Sequence, residues 1–260
     1  MTASNEFDVV VLGAGAGGMA AAVVAATEGL KVCLLEKTEH VGGTTAWSGG
    51  MVWAPLSSPA QKSTGFKDTT RDVARYLEGV VPGSQKDPGM AAFLNMVPKA
   101  LDYFERHTLV KFRSLSEYPD YYQELEGSSL SGRVLEPEPF NSAHLGAHLR
   151  DLRLPLPEFA LFSDMMVARE DLSHFQNVFR SIRSFGKVGA LLSRYAYQKI
   201  RWGRGVDLVL GNALAGRLYA SVLEAGITVR MGEQVSNLHR DGFGRVDGVE
   251  LLGGKTISAR

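Results

Sequence analysis

The chain opens with the pattern of a buried strand, a glycine turn and an apolar helix. Residues 7–12 form a continuous β-branched run, and residues 19–28 are rich in alanine and end at Gly29. Residues 30–36 form a second apolar run. Uninterrupted apolar runs are typical of strands covered on both faces, so this order predicts a βαβ unit with two parallel strands.

The middle of the chain has a different pattern. Residues 68–80 and 87–107 have helical periodicity, and we expect the second helix to be interrupted near Pro98. Residues 114–160 are rich in Pro, Tyr, Ser and Gly without clear periodicity, whereas residues 161–201 carry apolar and basic side chains at helical spacing. This stretch predicts a mixed α+β insertion.

Regular periodicity returns after residue 205. Residues 210–225 predict an amphipathic helix that ends at Gly226. Four extended segments follow, at residues 227–230, 233–240, 245–252 and 255–260. The turn at 241–244, Asp-Gly-Phe-Gly, joins the second and third of them as a hairpin.

The two regular ends enclose the irregular middle. We predict an α/β fold in which a Rossmann-like nucleotide-binding domain has its first part at residues 1–66 and its second at 205–260, interrupted by a substrate or cap region at 67–204. The parallel sheet needs more strands than the final segment supplies. We therefore expect the chain to be the N-terminal portion of a longer protein.

Charge and cysteine content exclude several classes of protein. The sequence has 28 Lys and Arg against 28 Asp and Glu, and a neutral chain has no excess cations for a nucleic-acid backbone. The apolar run at 19–26 is too short for a transmembrane segment, and residues 1–8 lack the basic start of a signal peptide. The single Cys33 allows no internal disulfide, so we expect a cytoplasmic protein.

The glycine turn after the first strand carries a dinucleotide-binding motif. Gly13, Gly15 and Gly18 form G-x-G-x-x-G between a predicted strand and a predicted helix. The first glycine permits a sharp turn, the second lets the backbone approach a pyrophosphate, and the third lets the helix pack on the strand. Glu36 ends the second strand, where we expect its carboxylate to accept a hydrogen bond from a ribose hydroxyl.

A second glycine-rich segment, residues 42–50, favours FAD over NAD. It combines four glycines with three hydroxyl side chains, which suits a ligand longer than the first phosphate site can hold. The alternative is a plain surface loop. The predicted cofactor-binding positions lie in or beside these segments, or in the strand predicted over 233–240: Gly13, Gly15, Ala16, Gly17, Gly18, Glu36, Lys37, Gly42, Gly43, Thr44, Thr45, Ser48, Gly49, Gly50 and Val235.

These motifs resemble the flavoprotein family of fumarate reductases, succinate dehydrogenases and 3-ketosteroid Δ1-dehydrogenases. The ketosteroid branch is the most similar, because the glycine-rich segment is followed by Val-Trp-Ala-Pro at 52–55. Tyr-Pro-Asp-Tyr-Tyr at 118–122 and Gly-Asn-Ala-Leu-Ala-Gly-Arg-Leu at 211–218 add to the resemblance. It implies an FAD domain that carries an inserted catalytic domain.

The resemblance also implies a reaction. Members of the ketosteroid branch desaturate a 3-ketosteroid by moving a proton to a tyrosinate and a hydride to flavin N5, and an external acceptor then takes the electrons. In that branch a tyrosine of the segment that matches 118–122 is one of the active-site phenols, and the matching position here is Tyr121, with Tyr122 as the alternative register. The groups that polarise the ketone lie in the family's later half, beyond this chain. An aromatic cluster that packs the insertion is the alternative reading of these tyrosines.

Other functions stay open at this stage. A fumarate-reductase-like protein would need Arg and His clamps for two carboxylates, and the sequence offers no convincing pair. A non-catalytic fragment is the third possibility. Segment 42–50 has no histidine, the residue of flavin attachment in the succinate dehydrogenase branch, so we expect non-covalent FAD. His144 and His148 are four residues apart but have no third ligand nearby, so we expect no metal site.

Overall fold

The computed structural model describes residues 6–58, 67–115 and 117–260. Its strands, β1 to β12, are Glu6–Phe7, Val9–Leu12, Val32–Leu35, Val52–Trp53, Phe112–Ser114, Val134–Pro137, Phe140–Asn141, Asp207–Leu208, Thr228–Arg230, Val235–Arg240, Val246–Leu251 and Thr256–Ala259. Its α-helices, α1 to α6, are Ala16–Thr27, Thr70–Val80, Pro88–His107, Leu172–Gln176, Ile182–Trp202 and Leu210–Glu224. The chain divides into two compact units, Met1–Ser48 with Pro139–Arg260, and Gly49–Glu138.

The first unit contains the βαβ unit that the sequence predicts. Strands β2 and β3 are parallel, with Val9 opposite Val32, and β9 extends the sheet in the order β2-β3-β9. Strand β3 is buried along its whole length, as its uninterrupted apolar sequence requires. Helix α1 connects the two strands, so the predicted parallel pair is confirmed.

A second sheet of this unit has the order β1-β12-β11-β10. Strands β10 and β11 form the predicted antiparallel hairpin, and Gly244 N donates to Asp241 O over 3.0 Å in its turn. Buried side chains from both sheets form one core cluster, which comprises Phe7, Cys33, Leu35, Val249, Leu251 and Ile257. The two sheets of the unit therefore share a core.

The strand predicted over residues 7–12 is broken at Asp8. The Asp8 carboxylate accepts a hydrogen bond from Lys31 N at 2.8 Å, and both Asp8 N and Val9 N donate to Lys31 O. Phe7 then pairs with β12, whereas the chain from Val9 onward pairs with β3. The single strand predicted over residues 7–12 thus supplies one strand to each sheet.

Residues 139–204 belong to the first compact unit. A parallel bridge joins Val41 to Leu152, and β7 pairs with β8. The inserted region predicted over 67–204 differs in its bounds from the compact units, and its substrate or cap role stays a prediction. Helical structure within 161–201 is concentrated in the long helix α5.

The second unit contains a three-stranded antiparallel sheet in the order β4-β6-β5, together with α2 and α3. Helix α3 runs through Pro98 without a break, so the predicted interruption is wrong. Val97 and Leu101 flank this proline and pack against the buried cluster of Ala54 and Leu135, and that packing offsets the one helical hydrogen bond that proline removes. Among the residues described, no helix combines the length and apolar character needed to cross a membrane.

Candidate cofactor site

The glycine turn of the first unit has the geometry of a phosphate-binding loop. Gly13 has a φ of +94°, and a Cβ at Gly18 would lie 1.8 Å from Gly13 O, so α1 packs directly against the turn. Gly15 occupies the N-cap of α1 and offers no side-chain cap, and the first turn of the helix has no acidic residue. The positive end of the helix dipole is thus left for an anionic ligand.

The glycine-rich segment packs against this turn. Gly42 N donates to Ala14 O over 2.8 Å, and Ala16 N donates to Thr45 Oγ1 over 3.0 Å. A Cβ at Gly43, whose φ is +51°, would lie 3.2 Å from the Cα of Gly15. The structure therefore brings together residues 13–18 and 42–48, which we call the glycine cradle.

Glu36 lies at the edge of the glycine cradle and is 7% exposed. Its Oε2 accepts a hydrogen bond from Ala14 N at 2.8 Å, and its Oε1 accepts from Thr38 N at 2.9 Å. Burial alone would raise the pKa of Glu36, but these hydrogen bonds and a third from the Thr38 hydroxyl lower it. Glu36 is therefore ionised at neutral pH. A carboxylate has about four lone-pair sites, so acceptor capacity remains for a ribose hydroxyl.

Sequence reasoning missed Arg153 as a part of this region. Its guanidinium lies 4.6 Å from the ring centroid of Trp47, and its Nη2 donates to Thr38 Oγ1 over 3.1 Å. Trp47 in turn donates from Nε1 to Leu154 O. Arg153 is more than 100 positions from both partners in an irregular stretch, so no local pattern predicts the contact.

The start of α6 adds a second group that sequence reasoning did not assign. Gly211 N donates to Ser48 O over 2.9 Å, and a Cβ at Gly211 would lie 2.0 Å from Thr45 O. The adjacent Asn212 is fully buried and donates from Nδ2 to Arg153 O over 2.8 Å. The signal in the sequence is the Gly-Asn pair at 211–212, within a segment that contributes only to the family resemblance.

The residues present fit an extended anionic ligand. Asn212 Oδ1 and Arg153 Nε are buried without a hydrogen-bond partner in the described structure. A Cβ at Gly17 would have no neighbour within 4 Å, and one at Gly15 would meet only Thr45 Oγ1 at 4.0 Å. Open space beside a helix N-terminus suits a dinucleotide pyrophosphate.

The remaining predicted positions include Thr44 and Ser48 of the glycine cradle and residues that lie outside it. Lys37 and Thr44 are exposed, and Ser48 donates from its hydroxyl to Thr45 O. Val235 lies in β10, where it packs against the shared core of the two sheets. Gly49 and Gly50 belong to the second compact unit, in which Gly50 is buried and has a φ of +65°.

The second unit contains a cavity of about 360 Å³, which we call the tyrosine cavity. Tyr118, Tyr121 and Tyr122 line it, together with Trp53 and Tyr76. The exposed fraction is 87% for Tyr121 and 49% for Tyr122. The lining is largely apolar and aromatic, and the residues identified in it include no Lys or Arg. Both candidate catalytic tyrosines are thus placed at one cavity.

Comparison with known families identifies the chain. The family described as FAD binding domain matches residues 8–259, which is nearly the whole sequence. The chain belongs to this FAD-binding family. FAD is therefore the cofactor, and the fold is the predicted Rossmann-like α/β domain with added elements.

Two curated relatives of this family member are dehydrogenases. The 4-oxocyclohex-2-ene-1-carboxylate 5-dehydrogenase of Sinomonas cyclohexanicum is 36% identical over 248 residues, covering 95% of this chain and 41% of the relative. The 3-oxosteroid 1-dehydrogenase of Mycobacterium tuberculosis is 36% identical over 242 residues, covering 90% of this chain and 41% of the relative. The chain thus spans about two fifths of the length of either relative.

A solved structure supports the same relationship. The 3-ketosteroid Δ1-dehydrogenase of Sterolibacterium denitrificans, in complex with 1,4-androstadiene-3,17-dione, superposes with a TM-score of 0.82 at 30% identity. The match covers 98% of this chain and 46% of that protein. The fold of the whole described chain is therefore that of the corresponding part of a steroid dehydrogenase.

Proposed function

We propose that the protein is an FAD-dependent dehydrogenase that introduces a 1,2-double bond into a 3-ketosteroid or a similar apolar cyclic ketone. The observation that carries this proposal is the apolar tyrosine cavity in a chain that is similar to 3-oxosteroid 1-dehydrogenases over 90% of its length. The reduced cofactor would then pass its electrons to an external acceptor.

The glycine cradle would hold the cofactor in this function. The helix N-terminus at Gly15–Gly18 would bind the pyrophosphate, and Glu36 would bind the ribose. Asn212 Oδ1 and Arg153 Nε are buried and unpaired, and they would gain partners in the ligand. FAD, when bound, supplies the hydride acceptor for the oxidation.

Tyr121 is the proposed proton acceptor, with Tyr122 as the alternative. Desaturation breaks one C–H bond next to the ketone, whose proton goes to the phenolate, and one at the adjacent carbon, whose hydride leaves with both electrons. The remaining electron pair forms the double bond. A free phenol has a pKa of about 10, so the phenolate has to be stabilised for this step.

The lining of the tyrosine cavity favours a steroid over a small keto acid. One relative acts on a ring that carries a carboxylate, and this substrate is the second candidate. A carboxylate is usually bound by Arg or Lys, and the described lining of the cavity contains neither. A volume of about 360 Å³ lies at the lower end of the range for small-molecule sites.

The test is an anaerobic absorbance spectrum of the FAD-loaded full-length protein before and after addition of 4-androstene-3,17-dione. We expect the flavin band to bleach, and we expect Tyr121→Phe to slow the bleaching by roughly a hundredfold or more. Bleaching by 4-oxocyclohexanecarboxylate alone would favour the keto-acid alternative. A flavin that stays oxidised with both ketones, or oxidation of a reduced dye by fumarate, would refute the proposal.

A further inference from the structure

The segment 120–129, which contains Tyr121 and Tyr122, is irregular in structure, and hydrogen bonds join its two ends. Asp120 N donates to Ser129 O over 2.8 Å, and Ser129 N donates back to Asp120 Oδ2 over 2.9 Å. A Cβ at Gly127, whose φ is +84°, would lie 2.1 Å from Asp72 O, so the segment rests on the backbone of α2. The segment is therefore held at both ends and at Gly127, while the rings of Tyr121 and Tyr122, next to the Asp120 end, are exposed.

A buried ion network lies behind this segment. Arg133 is 2% exposed and makes a bidentate contact with Asp68, from Nε at 3.0 Å and from Nη2 at 2.9 Å. Its Nη1 donates to Asp120 Oδ2 over 2.7 Å. Burying three charges costs free energy, and a well-packed apolar core is often as stable. The network therefore contributes less to stability than to the orientation of the Asp120 carboxylate, which it fixes.

Two aromatic residues join this network to the tyrosine segment. Trp53 donates from Nε1 to Asp120 Oδ1 over 2.8 Å, and its ring stacks on Phe93 at an interplanar angle of 3°. The Tyr76 hydroxyl accepts a hydrogen bond from Tyr122 N at 3.4 Å, and the Arg133 guanidinium lies 5.6 Å from the Tyr76 ring centroid. Burial raises the pKa of Tyr76, which therefore stays neutral.

Both aromatic residues also line the tyrosine cavity. Tyr76 therefore joins Tyr122 to Arg133, and Trp53 is bonded to Asp120, which belongs to both the tyrosine segment and the buried ion network. We infer that Trp53 and Tyr76 are positioning residues, held by the Asp120–Arg133–Asp68 network, which fix Tyr121 and Tyr122 at the cavity for proton abstraction. This inference rests on the proposed function, because it assigns the tyrosines their catalytic role.

The kinetic test uses substitutions that remove one hydrogen bond and keep an aromatic side chain, although Trp53→Phe also replaces the indole by a smaller ring. Tyr76→Phe removes the acceptor for Tyr122 N, and Trp53→Phe removes the donor to Asp120. In the FAD-loaded full-length protein we expect each variant to lower kcat for 4-androstene-3,17-dione roughly three- to tenfold, with unchanged FAD affinity. Tyr103→Phe, on α3, is the matched control and is expected to leave kcat unchanged.

A second readout does not depend on activity. Chymotrypsin cleaves after exposed tyrosines, so we expect faster cleavage after Tyr121 and Tyr122 in Tyr76→Phe and Trp53→Phe than in Tyr103→Phe. Mass spectrometry identifies the cut sites. If Trp53 and Tyr76 had only a structural role, their substitution would lower overall stability and accelerate cleavage throughout the chain, without changing kcat for the folded protein.

The outcomes separate the inference from the proposed function. An active wild type with lowered kcat and local cleavage in both variants supports the inference. An active wild type whose kcat is unchanged in both variants overturns it and leaves the proposed function intact. A wild type that reduces its flavin with neither ketone overturns the proposed function, and with it the catalytic role given to these residues.

Discussion

Glu36 accepts three hydrogen bonds from the glycine cradle and its neighbour Thr38. Glu36→Gln would keep the size of the side chain but replace charge-assisted hydrogen bonds by neutral ones and turn one oxygen into a donor. We expect a loss of about 1–3 kcal/mol in the free energy of unfolding at neutral pH, measured by urea denaturation. Glu158→Gln, at an exposed position, is the control and should change stability by less than about 0.5 kcal/mol.

The same residue gives a prediction for pH. The pKa of Glu36 is lower in the folded protein than its ordinary value of 4.5, so its ionised form stabilises the fold above that pH. This contribution is lost as the pH falls through the folded-state pKa. The stability difference between wild type and Glu36→Gln should therefore shrink between neutral pH and about pH 3. A difference that is constant over this range would contradict the prediction.

At the scale of elements, Gly18 sets the contact between α1 and the turn after β2. A Cβ at this position would lie 1.8 Å from Gly13 O, and a backbone oxygen cannot rotate away. We expect Gly18→Ala to lower the free energy of unfolding by about 1–3 kcal/mol and to weaken FAD binding. In Gly17→Ala the new methyl group meets open space, so its stability should equal that of wild type within about 0.5 kcal/mol. Calorimetry of both variants measures the change in stability, and FAD titration measures the change in FAD affinity.

The cap of α2 gives a second prediction for an element. Thr69 Oγ1 accepts a hydrogen bond from Asp72 N at 3.1 Å and donates to the Asp72 carboxylate. Thr69→Ala removes both contacts, so we expect a loss of about 1 kcal/mol in the free energy of unfolding. Thr69→Ser keeps the hydroxyl and should unfold at nearly the wild-type urea concentration. Equal midpoints for the two variants would show that the cap contributes little.

The sequence predicts elements well where one local pattern determines them. The βαβ unit and the hairpin at 241–244 follow from apolar runs and turn residues, and both are confirmed. The break at Asp8 and the unbroken course of α3 through Pro98 depend on contacts distant in sequence, with Lys31 and with the buried cluster that includes Leu135. Local propensity contains no information on either.

The candidate site also has one part that the sequence predicts and another that it does not. The glycine cradle and Glu36 follow a motif with fixed spacing, so their proximity could be predicted from the sequence. Arg153 and Asn212 join them through contacts that span more than 50 residues. The irregular stretch around Arg153 has no local signal, and the Gly-Asn pair at 211–212 contributes only to the family resemblance, so the position of both residues beside the cradle is seen only in the folded chain.

At the scale of the whole molecule, we predict that FAD is bound without a covalent bond. Acid precipitation of the FAD-loaded protein should leave the flavin in the supernatant, because only non-covalent contacts with the folded state retain it. Free FAD at about 100 times its Kd should add about 2.7 kcal/mol to the stability of the folded state. A yellow pellet would contradict the prediction, and peptide mapping would then locate the attachment residue.

The parallel pair between β1 and β12 has a consequence for synthesis on the ribosome. Glu6 pairs with Ser258, so one of the first strands to be made has its partner among the last residues described. Translation proceeds at about 5–20 residues per second, which leaves β1 without that partner for on the order of ten to fifty seconds. The β2–β3 pair needs only nearby residues and can form at once. Phe7, buried in the finished core, therefore lacks the part of that core supplied by Val249, Leu251 and Ile257 during this interval, and a chaperone can bind the apolar surface left uncovered.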